Sequence, residues 1–199
     1  MTLMDTRRRT PAPPAAGPVL PAGPEELDVL FRSVFRRHAS GVAVITARDP
    51  AGRPRGFTAT SLVSVCAEPP TLSFAISAGA SSWPAIATAG HVGVHLLEEG
   101  QSVLAAVFAR SGADRFAAAD WAPGPYGVPL LGGALARLVC RVAARIPAGD
   151  HRIVVAELLT GDLGPADRLP LLYHQGAFTA LRPPTATPAS VPAAPGQGS

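Results

Sequence analysis

A mainly β fold with a few helices, its strands closing or nearly closing into an antiparallel barrel, is predicted by three observations. Runs rich in β-branched residues recur through residues 42–181, most of them bounded by turn-forming Gly, Pro or Asp. The helical patterns between them are few and short, which favours strands joined by turns over a parallel sheet with crossover helices. No GxGxxG stands between a strand and a helix and no GxxxxGK[ST] occurs, so the signatures of a doubly wound dinucleotide fold and of a P-loop are both missing.

In chain order, Pro24, Glu25 and Glu26 open a helix with proline early and acids in the first turn. Leu27, Leu30, Phe31, Val34 and Phe35 form its apolar stripe; Arg36, Arg37 and His38 lie at its C-terminal end, and Gly41 stops it. Val42–Thr46 reads as a strand, Asp49-Pro50-Ala51-Gly52 as a turn, and Gly56–Glu68 as one continuous strand completing a hairpin. Pro69-Pro70 interrupts pairing and Thr71–Ser77 is a third strand. A short helix runs from Ser81 to Ala89, a strand from His91 to Leu97 and a helix from Gln101 to Arg110. Long strands at about Ala134–Ile146 and His151–Thr160, and a last pair around Leu171–Leu181, complete the order.

The ends, 1–23 and 183–199, are rich in Pro, Ala, Gly, Ser and Thr without apolar periodicity and are expected to be disordered tails around one domain, 24–182. A domain near that size buries ~70% of its unfolded-chain surface and needs no disulfide or structural metal. Cys66 and Cys140 lie far apart in apolar runs and form no CxxC pair, consistent with a reducing cytoplasm. All 17 basic residues are arginines, and they are scattered apart from Arg7, Arg8 and Arg9; aromatics do not interleave with them, so a nucleic-acid surface is not expected. The proline-dense stretch after that triple arginine cannot form the apolar helix of an export signal, and no run is long and apolar enough to span a membrane. The expected protein is soluble and cytoplasmic.

The stretch GFTATSLVSVCAEPP carries hydroxyls and small apolar groups but no charge between Arg55 and Glu68. At period two, Thr58, Thr60 and Ser64 share one face, while Phe57, Ala59, Val63 and Val65 share the other, the core face. An uncharged hydroxyl face suits close approach by a large polar ligand, and it equally suits Thr/Ser pairs across a sheet. Ser77–Ser82, SAGASS, leads into a helix start, where backbone N–H groups attract an anion; an ordinary serine cap reads the same way. Gly149-Asp150-His151 makes a turn between two long strands; the turn needs Gly and Asp but not His, which is either a ligand contact or a surface residue. His91 and His95 are spaced i,i+4 in a strand, not a helix, and no cysteine or acid cluster completes a zinc site; no metal is expected. No GxSxG elbow supports a serine hydrolase.

Taken together, FRSVFRRHASGVAVIT, RGFTATSLVSVCAEPPTLSF, the Ser81 loop, the segment Phe108–Phe116, GVPLLGGALARLVC, GDHRIVVAEL and PLLYHQGAF resemble, in this order and spacing, the flavin reductase family. The resemblance spans Phe31 to Leu181 and implies an FMN-binding split β-barrel of antiparallel Greek-key type. It further implies an NAD(P)H:flavin oxidoreductase, the reductase component of a two-component monooxygenase, passing hydride from NADH or NADPH to FMN or FAD and reduced flavin to its partner oxygenase. On this resemblance, Thr58, Ala59, Thr60, Ser61 and Ser64 line the isoalloxazine and ribityl chain, Ser81 and Ser82 hold the phosphate with Arg115 nearby, and His151 is the catalytic residue beside the nicotinamide. Such proteins are homodimers with flavin near the subunit interface. Three positions depart from the usual pattern: Cys66 replaces a serine, Thr60 an asparagine and Arg115 a lysine, which changes hydrogen-bond geometry more than charge. A non-catalytic flavin-binding barrel, or a flavoprotein reducing another acceptor, shares the same residues.

Overall fold

The computed structural model describes residues 23–111 and 114–181; the two expected tails lie outside the described residues apart from Gly23. The described chain divides after Phe35. Before that division lies most of helix α1 (Pro24–Arg37), with Glu25 and Glu26 in its first turn, an Asp28–Arg32 ion pair of 2.9 Å, and Phe31 and Phe35 rings 4.5 Å apart. Leu27, Leu30, Phe31 and Val34 are each more than half exposed.

From Arg36 onward the structure is a β assembly. β1 (Ser40–Gly41), β11 (Leu171–His174) and β12 (Ala177–Ala180) form a small sheet; β7 (Trp121–Pro123) pairs with β8 (Pro129–Leu131). The main sheet is antiparallel, in the order β3 (Pro54–Ala59), β2 (Ala43–Arg48), β6 (His91–Leu96), β9 (Ala136–Ala148), β10 (His151–Leu163), β5 (Pro70–Ser77), β4 (Val63–Ala67). Helices α2 (Trp83–Thr88) and α3 (Ser102–Ala109) occupy connections.

One expectation fails here. Gly56–Glu68 is not one strand: it breaks at residues 60–62, so β3 pairs with β2 at one edge of the sheet and β4 pairs with β5 at the other. Phe57 and Ala59 are core, but Val63 and Val65 are 55% and 56% exposed. The break has a topological reason. Seven strands laid flat would separate the edges by roughly 29 Å, whereas the connection from residue 59 to 63 spans at most about 14 Å, so the sheet must roll up. Across the resulting seam no backbone ladder joins β3 to β5. Ser61 spans it instead: its hydroxyl accepts from Ala75 N at 2.9 Å and faces Ala75 O at 3.3 Å.

Strand β2 is buried on both faces, which is why its sequence runs apolar instead of alternating. Ile45 and Ala47 join Phe57, Phe74, Ile86, Val92, Val94 and Val154 in one cluster; Val42 and Val44 join Leu97, Ala105, Phe108, Phe116 and Leu131 in another. Between β2, β6 and β8 sits His95, fully buried, its Nδ1 donating to Val44 O at 3.0 Å and its Nε2 accepting from Leu131 N at 3.1 Å. Both ring nitrogens are thus engaged, and His91 instead stacks on Tyr126 with ring centroids 4.0 Å apart. Gly93 leaves room for this layer: a Cβ there would stand 2.4 Å from Thr46 Oγ1.

Candidate functional site

The seam between β3 and β5 opens into a cavity of about 640 Å³, within the ~300–1,000 Å³ of small-molecule sites. Phe57, Thr58, Ala59, Thr60 and Ser61 form one wall, Ala75, Ile76 and Ser77 another; the 79–82 loop, the end of α3, Arg115 and His151 close it. Of the residues expected from sequence, eight line this cavity. Ser64 does not: the chain has by then crossed to β4 on the exposed edge.

Hydrogen bonding divides the hydroxyls into two kinds. Ser82 is buried, donates to Gly56 O at 2.7 Å and accepts from Arg115 Nη1 at 2.6 Å. Ser61 is likewise committed to Ala75. These two hold the walls. Thr58 gives its only hydroxyl hydrogen to Ala105 O at 2.6 Å, so toward a ligand it can only accept. Thr60 is exposed and forms no side-chain hydrogen bond among the described residues. Ser81 is exposed and accepts from Arg115 Nη2 at 3.2 Å, leaving its own hydrogen to donate. Ala59 keeps its side chain in the core and offers backbone.

Arg115 is fixed by oxygens: Nε donates to Arg110 O at 3.0 Å, Nη1 to Gly56 O at 2.7 Å, and no carboxylate is among its partners in the described residues. Burial, and then the neighbouring Arg55, lower its pKa, the signature of a cation with no paired anion. Ser82 caps α2 by position but makes no side-chain cap bond, because its hydroxyl is spent on β3 and Arg115. At the helix start Ser81 and Arg115 stand together, 3.2 Å apart.

His151 enters through hairpin geometry. Gly149, at φ +59°, supplies the left-handed residue that a tight two-residue turn between β9 and β10 requires. Ala78 N donates to Asp150 O at 2.9 Å, and His151 pairs with Ser77, which brings the turn to the cavity. His151 Nδ1 lies 2.7 Å from Asp150 Oδ1, so Asp150 orients the ring and leaves Nε2 for a ligand. That same bond lowers the Asp150 pKa.

A flavin fits these walls. The ring-sized space is uncharged apart from Arg115 and His151, its polar groups are hydroxyls and backbone, and a lone guanidinium with a serine hydroxyl awaits an anion. Residues 35–182 match the flavin reductase like domain. The chain belongs to the flavin reductase family. An actinorhodin polyketide dimerase of Streptomyces coelicolor is 37% identical over 82% of this chain and 95% of its own length. An NADH:FMN oxidoreductase of Rhodococcus erythropolis is 41% identical over 74% and 79%. Among solved structures, the NADH:FAD oxidoreductase SgcE6 of Streptomyces globisporus, in complex with NAD and FAD fragments, aligns with a TM-score of 0.75 and 32% identity, covering 84% of this chain and all of that one. Other relatives are reductase subunits of flavin-dependent monooxygenases. No described helix of this flavin reductase is long and apolar enough to cross a membrane.

Sequence reasoning missed Ser111, Ile76 and Phe108 of the cavity wall; Ser77, also there, opens the SAGASS run it singled out. Phe108 lies in an unbroken apolar stretch, residues 103–109, and Ser111 just past the expected end of that helix, so the helical reading gave no hint of which face met the cavity.

Proposed function

We propose that the chain is an NADH-dependent flavin reductase that reduces flavin in the seam cavity and releases it to a partner monooxygenase. The carrying observation is one uncharged, hydroxyl-lined cavity that meets both an unpaired guanidinium and an oriented imidazole. When bound, nicotinamide and flavin supply the hydride donor and acceptor, so the protein needs no acid–base triad. Thr60 and Thr58 offer hydroxyls to the ring edge, Thr58 as acceptor only. Ser81 and Arg115 bind the phosphate as a charge-assisted pair. His151, held by Asp150, presents Nε2 to the nicotinamide carboxamide, and Phe57, Ile76 and Phe108 exclude water from the wall.

The same reading includes a homodimer. Val63, Val65, Ile146, Leu158, Leu159 and Leu163 are apolar side chains exposed on β4, β9 and β10, more than a monomeric surface of this kind usually carries. Covering them with a second copy places the flavin site near the interface. Sedimentation at micromolar concentration checks this; a 20.3 kDa species that binds flavin refutes it.

The activity test is NADH oxidation with and without added FMN or FAD. Turnover that rises with added flavin supports the reductase; flavin binding without turnover shows a carrier instead.

A further inference from the structure

A second cavity, of about 610 Å³, adjoins the first and shares Arg115 with it. Its walls are Arg53, Pro54, Arg55, Gly56, Asp114, Phe116 and Trp121.

Its electrostatics are those of a site for a polyanion. Arg53 and Arg55 share a single carboxylate, Asp49 Oδ2, at 2.9 and 3.2 Å, and each reaches it through Nε. Asp49 Oδ1 accepts from Ala51 N and Arg53 N, and the carboxylate's single negative charge faces two guanidiniums. Among the described residues their Nη groups have no partner, and Arg115 beyond them has no carboxylate partner. Three guanidiniums around one space are mutually repulsive in the free protein, a cost that a bound phosphate relieves. The guanidinium side chains of Arg53 and Arg55 are 67% and 43% exposed, so they can turn toward a ligand.

Two further features say what the anion is attached to. Trp121 and Phe116, packed edge to face at 5.5 Å, give the cavity an aromatic wall suited to a flat base. Asp114 is the one carboxylate in the lining; a carboxylate accepts from a ribose diol and repels a ribose phosphate.

We propose that this second cavity is an adenylate subsite continuous with the flavin cavity, so that this chain selects FAD over FMN. The inference rests on the flavin cavity being as proposed above. The flavin's first phosphate lies at Ser81 and Arg115, the second meets Arg53 and Arg55, and the adenosine meets Trp121 and Asp114 across the shared wall. The alternative occupant with the same chemistry is the 2′-phosphorylated adenosine of NADPH, which Asp114 disfavours.

The test is calorimetric titration of the full chain, and of the Arg53→Ala/Arg55→Ala variant, with FMN, FAD, ADP and 2′,5′-ADP. The expected result is FAD bound at least tenfold more tightly than FMN, that preference falling below threefold in the variant, with FMN affinity changed less than twofold. Unchanged FMN affinity also shows that the variant is folded. Equal FMN and FAD affinity in the unaltered chain overturns the subsite while leaving the flavin cavity standing. A variant that weakens FMN and FAD alike overturns it too. Binding of neither flavin refutes the flavin cavity itself, and tighter binding of 2′,5′-ADP than of ADP assigns the second cavity to NADPH instead.

Discussion

His95 makes the fold sensitive to acid, and the size of the effect follows from its burial. The ring is fully enclosed, donates to Val44 O and accepts from Leu131 N, so the folded protein holds it neutral. Burial lowers its pKa from 6.5 to about 4; the bond to Val44 opposes the shift, Arg137 adds to it and Asp162 offsets it. Above pH 6.5 both folded and unfolded chains leave the ring neutral and nothing is lost. As pH falls through 6.5 the unfolded chain takes up a proton that the folded chain refuses, so stability declines until pH reaches about 4 and then levels off. The gap between 6.5 and about 4, at about 1.36 kcal/mol per pH unit, is worth about 3 kcal/mol. For a chain of this size that corresponds to a drop in Tm of about 6–12 °C. Urea unfolding at intervals from pH 7 to 4 measures it, with His95→Gln as the comparison. The variant should lose about 1–3 kcal/mol at pH 7 through its missing bond, yet show a much flatter profile below pH 6.5. Parallel profiles for the two proteins refute the reasoning.

His151→Ala should lower kcat/KM for NADH about tenfold or more, roughly 1.4 kcal/mol, while flavin affinity, read by fluorescence titration, changes far less; lost flavin binding with normal turnover at saturating flavin would assign the residue to the flavin instead. Gly93→Ala should destabilise the fold by about 1–3 kcal/mol in chemical unfolding, because the added Cβ meets Thr46 Oγ1 at 2.4 Å and His95 Cε1 at 2.9 Å. A chain cut to residues 24–182 should keep its melting temperature and turnover, since the removed segments lack apolar periodicity; a large fall in either would show that a tail docks.

The local patterns of strands and helices were readable because most elements obey one local rule. β10 and β5 alternate, α1 is striped and capped by charge, and Gly149-Asp150 spells a tight turn. The break at residues 60–62 leaves only a faint mark: TSL contains neither Gly nor Pro, and its one sign is that Ser61 falls on the core face of the alternation and Leu62 on the hydroxyl face. What breaks the strand is the closure of the sheet, a property of all seven strands at once. The same closure removed Ser64 from the cavity and turned Val63 and Val65 outward. Arg53 and Arg55 escaped notice for a different reason. In sequence they are scattered cations in a hairpin; only the fold brings Arg115 to the cavity that they line.

The seam spanned by Ser61 makes the barrel a slit tube, and a slit tube loses torsional stiffness along the slit alone. Round the rest of the wall, from β3 through β2, β6, β9 and β10 to β5, each adjacent pair is tied by a ladder of amides, and widening one gap strains the next. Between β3 and β5 a single hydroxyl is the tie, so the wall there can spread or narrow without shearing the rest of the sheet. Thr60, Ser61 and Ala75 all line the cavity, which puts this weakly tied part of the wall at the proposed flavin site. A planar ring wedged against both lips stitches the slit shut, and the amides of residues 60–62 and 75 become the ones whose hydrogen exchange slows most when flavin binds.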